Sequence, residues 1–552
     1  MAVFVLSAAA ARAADQNYLA IYEYGSPAQM GELDRIVLSK LGSIGCGPGR
    51  CSDAVFVRRA FIDVIGTLPT PQEAREFILD PDIGGKRAKL IDRLLARDEF
   101  ADYWAMKWGD VLRIKAEFPV NLWPNAAQAY HRWVRASIAE NKPYDKFARE
   151  LLTSSGSNFR VGPVNFYRAL QNRTPEGIAG AVALTLMGSR IDSWPKERQA
   201  GMAAFFSQIG YKSTREWKEE VVFWDPLHSS VLVANAAAEK KPGAPAEPAP
   251  LVEPSVVSAI LPDGTKIMLT PDRDPRDDFA DWLIKPKNKW FTRAICNRVW
   301  SWLIGRGIIH EPDDIRDDNP PCNPELITFL EKELIASGYD MKKFYRLILN
   351  SATYQFSSTP RFVNNPKAEA NFASYPLRRL EAEVLIDAIN KATGATDLYT
   401  SPIPEPFTYI PKDKPAITIA DGSITSPFLT LFGRSARATG MENERNNKPV
   451  PAQWLHTLNS SHIQIKLSQG PTMKAILDSG HKPAQILEDL YLTILSRFPT
   501  PQEVSYAESY SSAATTVQGK AVKGGGAQQR RREDWVDIAW ALMNSDEFLY
   551  RH

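Results

Sequence analysis

The chain has 552 residues, 44% hydrophobic and 24% charged, which are the proportions of a globular protein and exclude wholesale disorder, collagen and coiled-coil classes. Lys plus Arg (66) against Asp plus Glu (64) leaves a net charge of +2, which supplies no global field to hold a polyanion, so no nucleic-acid partner is expected. No run of about 18 apolar residues occurs, so no transmembrane segment is expected either.

Residues 1–14 read as a secretory signal peptide: Val3 to Ala11 is short, apolar and rich in small residues, and Ala11-Arg12-Ala13 supplies the A-x-A cleavage pattern. No Lys or Arg precedes that stretch, so the charged start of a signal is missing and the N-terminus reads as truncated. The signal predicts export to the periplasm or cell envelope. In that oxidising setting Cys46 and Cys51, which bracket Gly47-Pro48-Gly49-Arg50, are disulfide candidates. A zinc site recruiting Cys296 and Cys322 is disfavoured by their distance in sequence.

Residues 30–235 read as a helical domain, with apolar residues three and four apart in Val55 to Ile65, Ala88 to Leu95, Ala101 to Ile114, Ala127 to Ala139 and Tyr144 to Leu152. Residues 236–272 read as a linker and hairpin. The first part, AAAEKKPGAPAEPAPLV, has no apolar period, and then Pro262-Asp263-Gly264 turns between the β-prone runs Val256 to Ile260 and Lys266 to Leu269. Residues 273–552 read as a second helical domain with a Pro-rich loop at Ser401 to Pro415. The expected fold is predominantly α: two helical domains with one small β-hairpin near the linker.

Phe56 to Glu73 (FVRRAFIDVIGTLPTPQE) lines up without gaps on Ile486 to Glu503 (ILEDLYLTILSRFPTPQE). Thr70 and Thr500 fit N-caps, Pro71 and Pro501 the first helical position, and Glu73 and Glu503 the third, a capping box with Pro at N1 in both copies. Each copy is followed by a helix running into Asp-Glu-Phe, at Leu94 to Phe100 and Leu542 to Phe548.

These residues carry a resemblance. FIDVIGTLPTPQEAREF and LIDRLLARDEFADYWAMKWGDVLR resemble the N-terminal, PSCyt-type domain of the planctomycete cytochrome-C-associated proteins, and the stretch from NKWFTRAICNRVWSWLIGRGIIHEPDD to FYRLILNSATYQFSS resembles their C-terminal, PSD-type domain. Both are domains of unknown function, so the resemblance implies architecture and brings little chemistry. Many relatives carry a C-x-x-C-H segment that looks like haem attachment or metal ligation. The corresponding stretch here, Met187 to Trp194, has neither Cys nor His, and a second stretch that is thiol-bearing in similar proteins, Gly440 to Arg445, has no Cys. Cys46 and Cys51 have four residues between them and Ser52 after, so both spacing and axial ligand are wrong for covalent haem, and none is expected.

Two polar constellations remain as candidates. Asp313, Asp314, Asp317 and Asp318, in the loop His310 to Asn319, offer oxygen ligands for a divalent cation but lack the spacing and the glycine of an EF-hand loop; the alternative is helix capping and pairing with Arg306 and Arg316. Glu442, Glu444 and Arg445, with His456, are candidates for an acid/base group. The seven histidines make no H-x-x-x-H pair, and no nucleophile elbow, Walker loop or dinucleotide fingerprint occurs in a convincing context. Three readings of function stay open: an exported binding or structural protein acting through helical surfaces, an envelope hydrolase of polysaccharides or esters using these carboxylates, and a redox-partner protein relying on another chain for its cofactor. No cofactor of its own is expected; the partner stays open, with another envelope protein as a candidate.

Overall fold

Helix boundaries fall where the sequence places caps. In the computed structural model, which describes residues 21–25, 31–227, 257–359, 361–362, 365–514 and 526–552, Thr70 accepts from the Glu73 amide at 3.2 Å while Glu73 accepts from the Thr70 amide at 2.8 Å; Thr500 and Glu503 repeat both bonds at the same distances. The expected signal peptide and the 236–252 linker lie outside the described residues.

Numbering helices of nine residues or more, the first half of the chain forms α1 (Glu32–Ser43), α2 (Asp53–Ile65), α3 (Pro71–Leu79), α4 (Lys86–Leu95), α5 (Asp98–Val111), α6 (Pro124–Ala139), α7 (Tyr144–Thr153) and α8 (Pro175–Met187). The second half forms α9 (Pro275–Leu283), α10 (Phe291–Ile304), α11 (Pro324–Ala336), α12 (Met341–Leu349), α13 (Ala382–Thr393), α14 (Pro451–Asn459), α15 (Ser461–Gln469), α16 (Pro483–Ile494), α17 (Pro501–Ala514) and α18 (Gly526–Met543). Helix takes 54% of the described residues and strand 6%, so the predominantly α expectation holds. No helix among the described residues is long and apolar enough to cross a membrane.

The hairpin forms as expected, β4 (Val257–Ile260) pairing antiparallel with β5 (Lys266–Leu269) around Gly264 at φ +89°. It is not the only sheet. β1 (Gly156–Ser157), β3 (Glu220–Trp224) and β2 (Ile209–Ser213) make a three-stranded antiparallel sheet, and β6 (Arg378–Arg379) pairs with β7 (Tyr550–Arg551). These strands are two to five residues long, too short for a period of two to stand out in the sequence.

The two helical regions do not stand apart. α1 packs on α11, α4 on α12, α7 on α9, α8 on α10 and α3 on α16, so one hydrophobic core runs from Leu33 to Leu549. α2 lies at its centre, buried from Val55 to Ile65, and its polar residues therefore point into protein. Arg58 donates to Ile494 O and Phe548 O, Arg59 to Tyr354 O, Phe356 O and His552 O, and Asp63 ion-pairs Arg551 at 3.0 Å while accepting from Tyr354 and Tyr375 hydroxyls. A buried charge survives only when paired or fully hydrogen-bonded, so these bonds fix how the halves dock. Trp104 fills the core with its indole N–H on Val64 O at 3.1 Å.

Candidate functional site

Three segments distant in sequence meet where α8 ends. Gly188 terminates α8 at φ +58°; a Cβ there would meet Pro312 O and Ile315 Cδ1 at 3.0 Å, so a glycine lets the 310–318 loop lie against the helix end. The Ile315 amide then donates to Gly188 O at 2.8 Å and the Ser189 hydroxyl to Ile315 O at 3.0 Å. Arg298 of α10, 1% exposed, satisfies the last α8 carbonyls, Thr185 O at 2.7 Å and Leu184 O at 3.2 Å, and ion-pairs Asp313 at 2.9 Å. The other oxygen of Asp313 accepts from the Glu442 amide at 2.7 Å, which brings the 440–445 segment alongside. Met187 to Trp194, the acidic loop and Gly440 to Arg445 are thus held together by one buried Arg–Asp pair.

On one side of Glu442 opens a pocket of about 230 Å³ whose walls include Lys107, Trp302, His310, Glu311, Arg378, Glu381, Glu442 and Arg445. A second pocket of about 230 Å³ shares Gly305 and His310 with it. Gly305, at φ +95°, has no room for a side chain, since a Cβ would meet Arg378 Nε at 2.7 Å. The Trp302 indole N–H donates to Glu442 Oε2 at 2.9 Å. Lys107 and Arg551 both bond Glu381, and Arg445 bridges Asp110 and Glu383 at 2.6–3.0 Å.

The carboxyls of this pocket are tuned in opposite directions. Burial raises Glu442, and Lys107 and the Trp302 hydrogen bond offset this only partly, so its pKa stays above the usual carboxylate value. Burial would raise Glu381 as well, but Arg551, Lys107 and Arg445 overwhelm it and hold that carboxyl far below the usual value. Burial, with Arg306 beside it, lowers the His310 imidazole.

Of the residues singled out in the sequence, Asp313, Glu442 and Arg445 converge here. The cation reading of the acidic loop is corrected: Asp313 is spent on Arg298, Asp314 and Asp318 face Arg316 at 3.0 and 3.6 Å, and Asp317 is fully exposed, 3.7 Å from Lys289. Among the described residues no cluster of His, Cys, Asp and Glu is placed to hold a metal ion. Glu444 is a local brace that accepts from the Ala438 and Thr439 amides at 2.8 and 3.2 Å. His456 lies elsewhere, on Phe428 and Phe432 and 3.2 Å from His462, which bonds Asp397 at 2.8 Å, so it does not join an acid/base group with Glu442.

The expected disulfide is corrected too. Cys46 and Cys51 are both buried free thiols, Cys46 near Ile44 O and Cys51 facing the Arg87 guanidinium at 3.7 Å. The backbone of Cys51 is fixed by its amide bond to Gln355 O and its bridge to Glu23, so its sulfur points at Arg87. Cys296 and Cys322 are free as well. The sequence reading missed Lys107, Glu381 and Arg378. Lys107 left one signal, a cation between Trp104 and Trp108 on the apolar face of a helix; Glu381 and Arg378 left none, because the groups they bond are distant in sequence, Lys107 and Arg551 for Glu381 and the Trp302 and Leu303 carbonyls for Arg378.

Residues 32–183 match the PSCyt2 family and residues 275–511 the PSD1 family, each described as a protein of unknown function (DUF1549 and DUF1553). The pocket takes Lys107 from the first matched segment and its other walls from the second. No curated protein and no solved structure matches the chain.

Proposed function

The chain belongs to the planctomycete cytochrome-associated family that joins a PSCyt2 to a PSD1 segment, and on that premise we propose that it is an exported cell-envelope protein that binds a small polar ligand between the two. The observation that carries this reading is the pair of adjoining pockets at His310, about 230 Å³ each, lined by cations, carboxylates and amides. Such a lining offers both donors and acceptors to a hydroxyl-rich ligand, as in an oligosaccharide. Calorimetric titration with envelope-type oligosaccharides tests it. Glu442→Gln, which keeps an acceptor for the Trp302 N–H, is expected to weaken binding roughly tenfold. Unchanged affinity in this variant would refute the site.

One observation favours a second reading, hydrolysis. A carboxyl whose pKa burial raises and another that cations hold ionised are the division of labour of a general acid and its anionic partner. On this reading Glu442 protonates the leaving oxygen and Glu381 stays ionised beside it. Turnover of chromogenic glycosides and esters at saturating substrate, lost in Glu442→Gln beyond what its roughly tenfold weaker binding accounts for, would select it over simple binding.

A further inference from the structure

We infer that the cavity on the other side of Met441, which shares no residue with the pocket above, is a second binding site, for an oxyanion such as a carboxylate, sulfate or phosphate group. The cavity holds about 250 Å³, and Arg113 and Arg190 both line it. Arg113 is 5% exposed. Its Nε donates to Thr439 O at 2.9 Å, and its Nη1 has no partner. The nearby carboxylates are already engaged, Glu444 by the 438 and 439 amides and Asp313 by Arg298 and the Glu442 amide. A buried guanidinium with an unmade hydrogen bond loses the full desolvation of that group, a cost an anion in the cavity would remove.

The backbone is shaped around this arginine. Arg113 takes φ +58°, uncommon for a residue with a side chain, and Gly440 passes so close that a Cβ would meet Arg113 Cζ at 2.8 Å and Nη2 at 2.9 Å. Arg190 adds a second cation: its Nε is buried without a partner among the described residues, and the carboxylate it pairs with there, Glu311, is 3.5 Å away, longer than a normal charge-assisted hydrogen bond. Two arginines against the single lining carboxylate of Asp192 leave the walls one charge positive. The opposite wall is the first half of α8, where Gly180 leaves space, a Cβ there coming no closer than 3.6 Å to any neighbour. The cavity is therefore roomy and cationic, with two arginines in its walls whose hydrogen bonds are not all made.

Isothermal titration of the full chain with sodium acetate, sulfate and phosphate, at ionic strength matched with chloride, tests the inference. Saturable binding is expected, with acetate strongest if the geometry suits a planar carboxylate and sulfate or phosphate strongest if it suits a tetrahedral group. Arg113→Met removes the cation at similar volume and is expected to lower affinity roughly 10- to 100-fold. Gly180→Leu, which fills the cavity from a helix that gains propensity by the change, is expected to abolish binding with Arg113 still in place, so the test stands even if Arg113→Met does not fold. No saturable heat with any of the three anions, or heat undiminished in the folded variants, would overturn the assignment.

Discussion

Residues 56–73 and 486–503 build the same turn, yet the first lies at the centre of the molecule and the second closes its edge. The backbone at Gly66 and Ser496, matched positions, takes φ +66° and +60°. Gly66 has no alternative, because a Cβ would stand 2.5 Å from the buried Tyr103 ring, whereas Ser496 fits with only its hydroxyl left without a partner. Each copy holds an arginine between its capping-box glutamate and the glutamate of the following Asp-Glu-Phe. In the first, Arg97 reaches Glu73 at 2.8 Å and Glu99 at 3.2 Å; in the second, Arg497 reaches Glu503 at 2.8 Å and Glu547 at 2.6 Å. The arginines come from different places, Arg97 from the Asp-Glu-Phe turn and Arg497 from the hairpin turn, so the ion-pair geometry recurs without the residue that makes it.

The charges on the first helix of each copy differ in kind. Arg58, Arg59 and Asp63 are buried and tie α2 to the second half of the chain, while the matched Glu488 and Asp489 pair with Arg75 and His481 at the surface. The difference teaches that one local motif can serve as a hub or as a lid, depending on whether its helix is enclosed on all sides.

The comparison can be broken most severely at Asp63. Asp63→Asn removes one of the two carboxylates that pair with buried Arg551, leaving Glu381, and also weakens the acceptor for the Tyr354 and Tyr375 hydroxyls; it is expected to cost about 3 kcal/mol in urea unfolding, while Thr493→Ser at the matched position costs about 1 kcal/mol or less. A comparable cost at both positions would show that the second helix is also a hub.

Acid distinguishes the copies next. Burial, with Arg58 a lesser cause, pushes the His552 imidazole down to about 4 where it packs beside the first copy. The unfolded chain takes up that proton near pH 6.5 and the folded chain only near 4, so stability is full above 6.5 and falls as pH drops through this window. The loss is on the order of 3 kcal/mol by pH 4. His552→Phe is expected to lower the slope of stability between pH 6.5 and 4.5 by about one proton, roughly 1.4 kcal/mol per pH unit, while the buried His131 imidazole, which burial pushes down to about 3, keeps its own contribution. Glu381, held far below its usual value by Arg551 and Lys107 against its burial, adds stability that is present above about pH 4.5 and lost below, outside that scan.

Exchanging the turn residues sharpens the comparison. Gly66→Ser combines a steric clash with a left-handed backbone and should cost about 2–3 kcal/mol in a thermal melt. Ser496→Gly relieves the left-handed strain and is expected to be neutral or stabilising by about 1 kcal/mol. Equal destabilisation by both would contradict the room seen at Ser496. The smallest effect belongs to the caps: Thr70→Ala and Thr500→Ala each remove one capping bond of identical length and are expected to cost about 1 kcal/mol apiece.

Much of the local structure was legible in the sequence, because it depends on neighbours in the chain: the capping boxes, the Asp-Gly hairpin and the helical stripes. The site was legible only in part. Asp313, Glu442 and Arg445 stood out as charges in polar clusters, and composition alone could not separate them from Glu444, Asp317 or His456, which carry the same chemistry and lie elsewhere.

By itself, then, the sequence determined which residues form helices and where these stop, since caps, periodicity and turn glycines act over three or four residues. Only the tertiary structure decided which charges became buried and with whom they pair. Lys107 with Glu381, Arg298 with Asp313 and Asp63 with Arg551 join residues from 15 to almost 490 positions apart. The energy of such a pair depends on the water excluded around it, and that exclusion comes from elements packed by the whole chain.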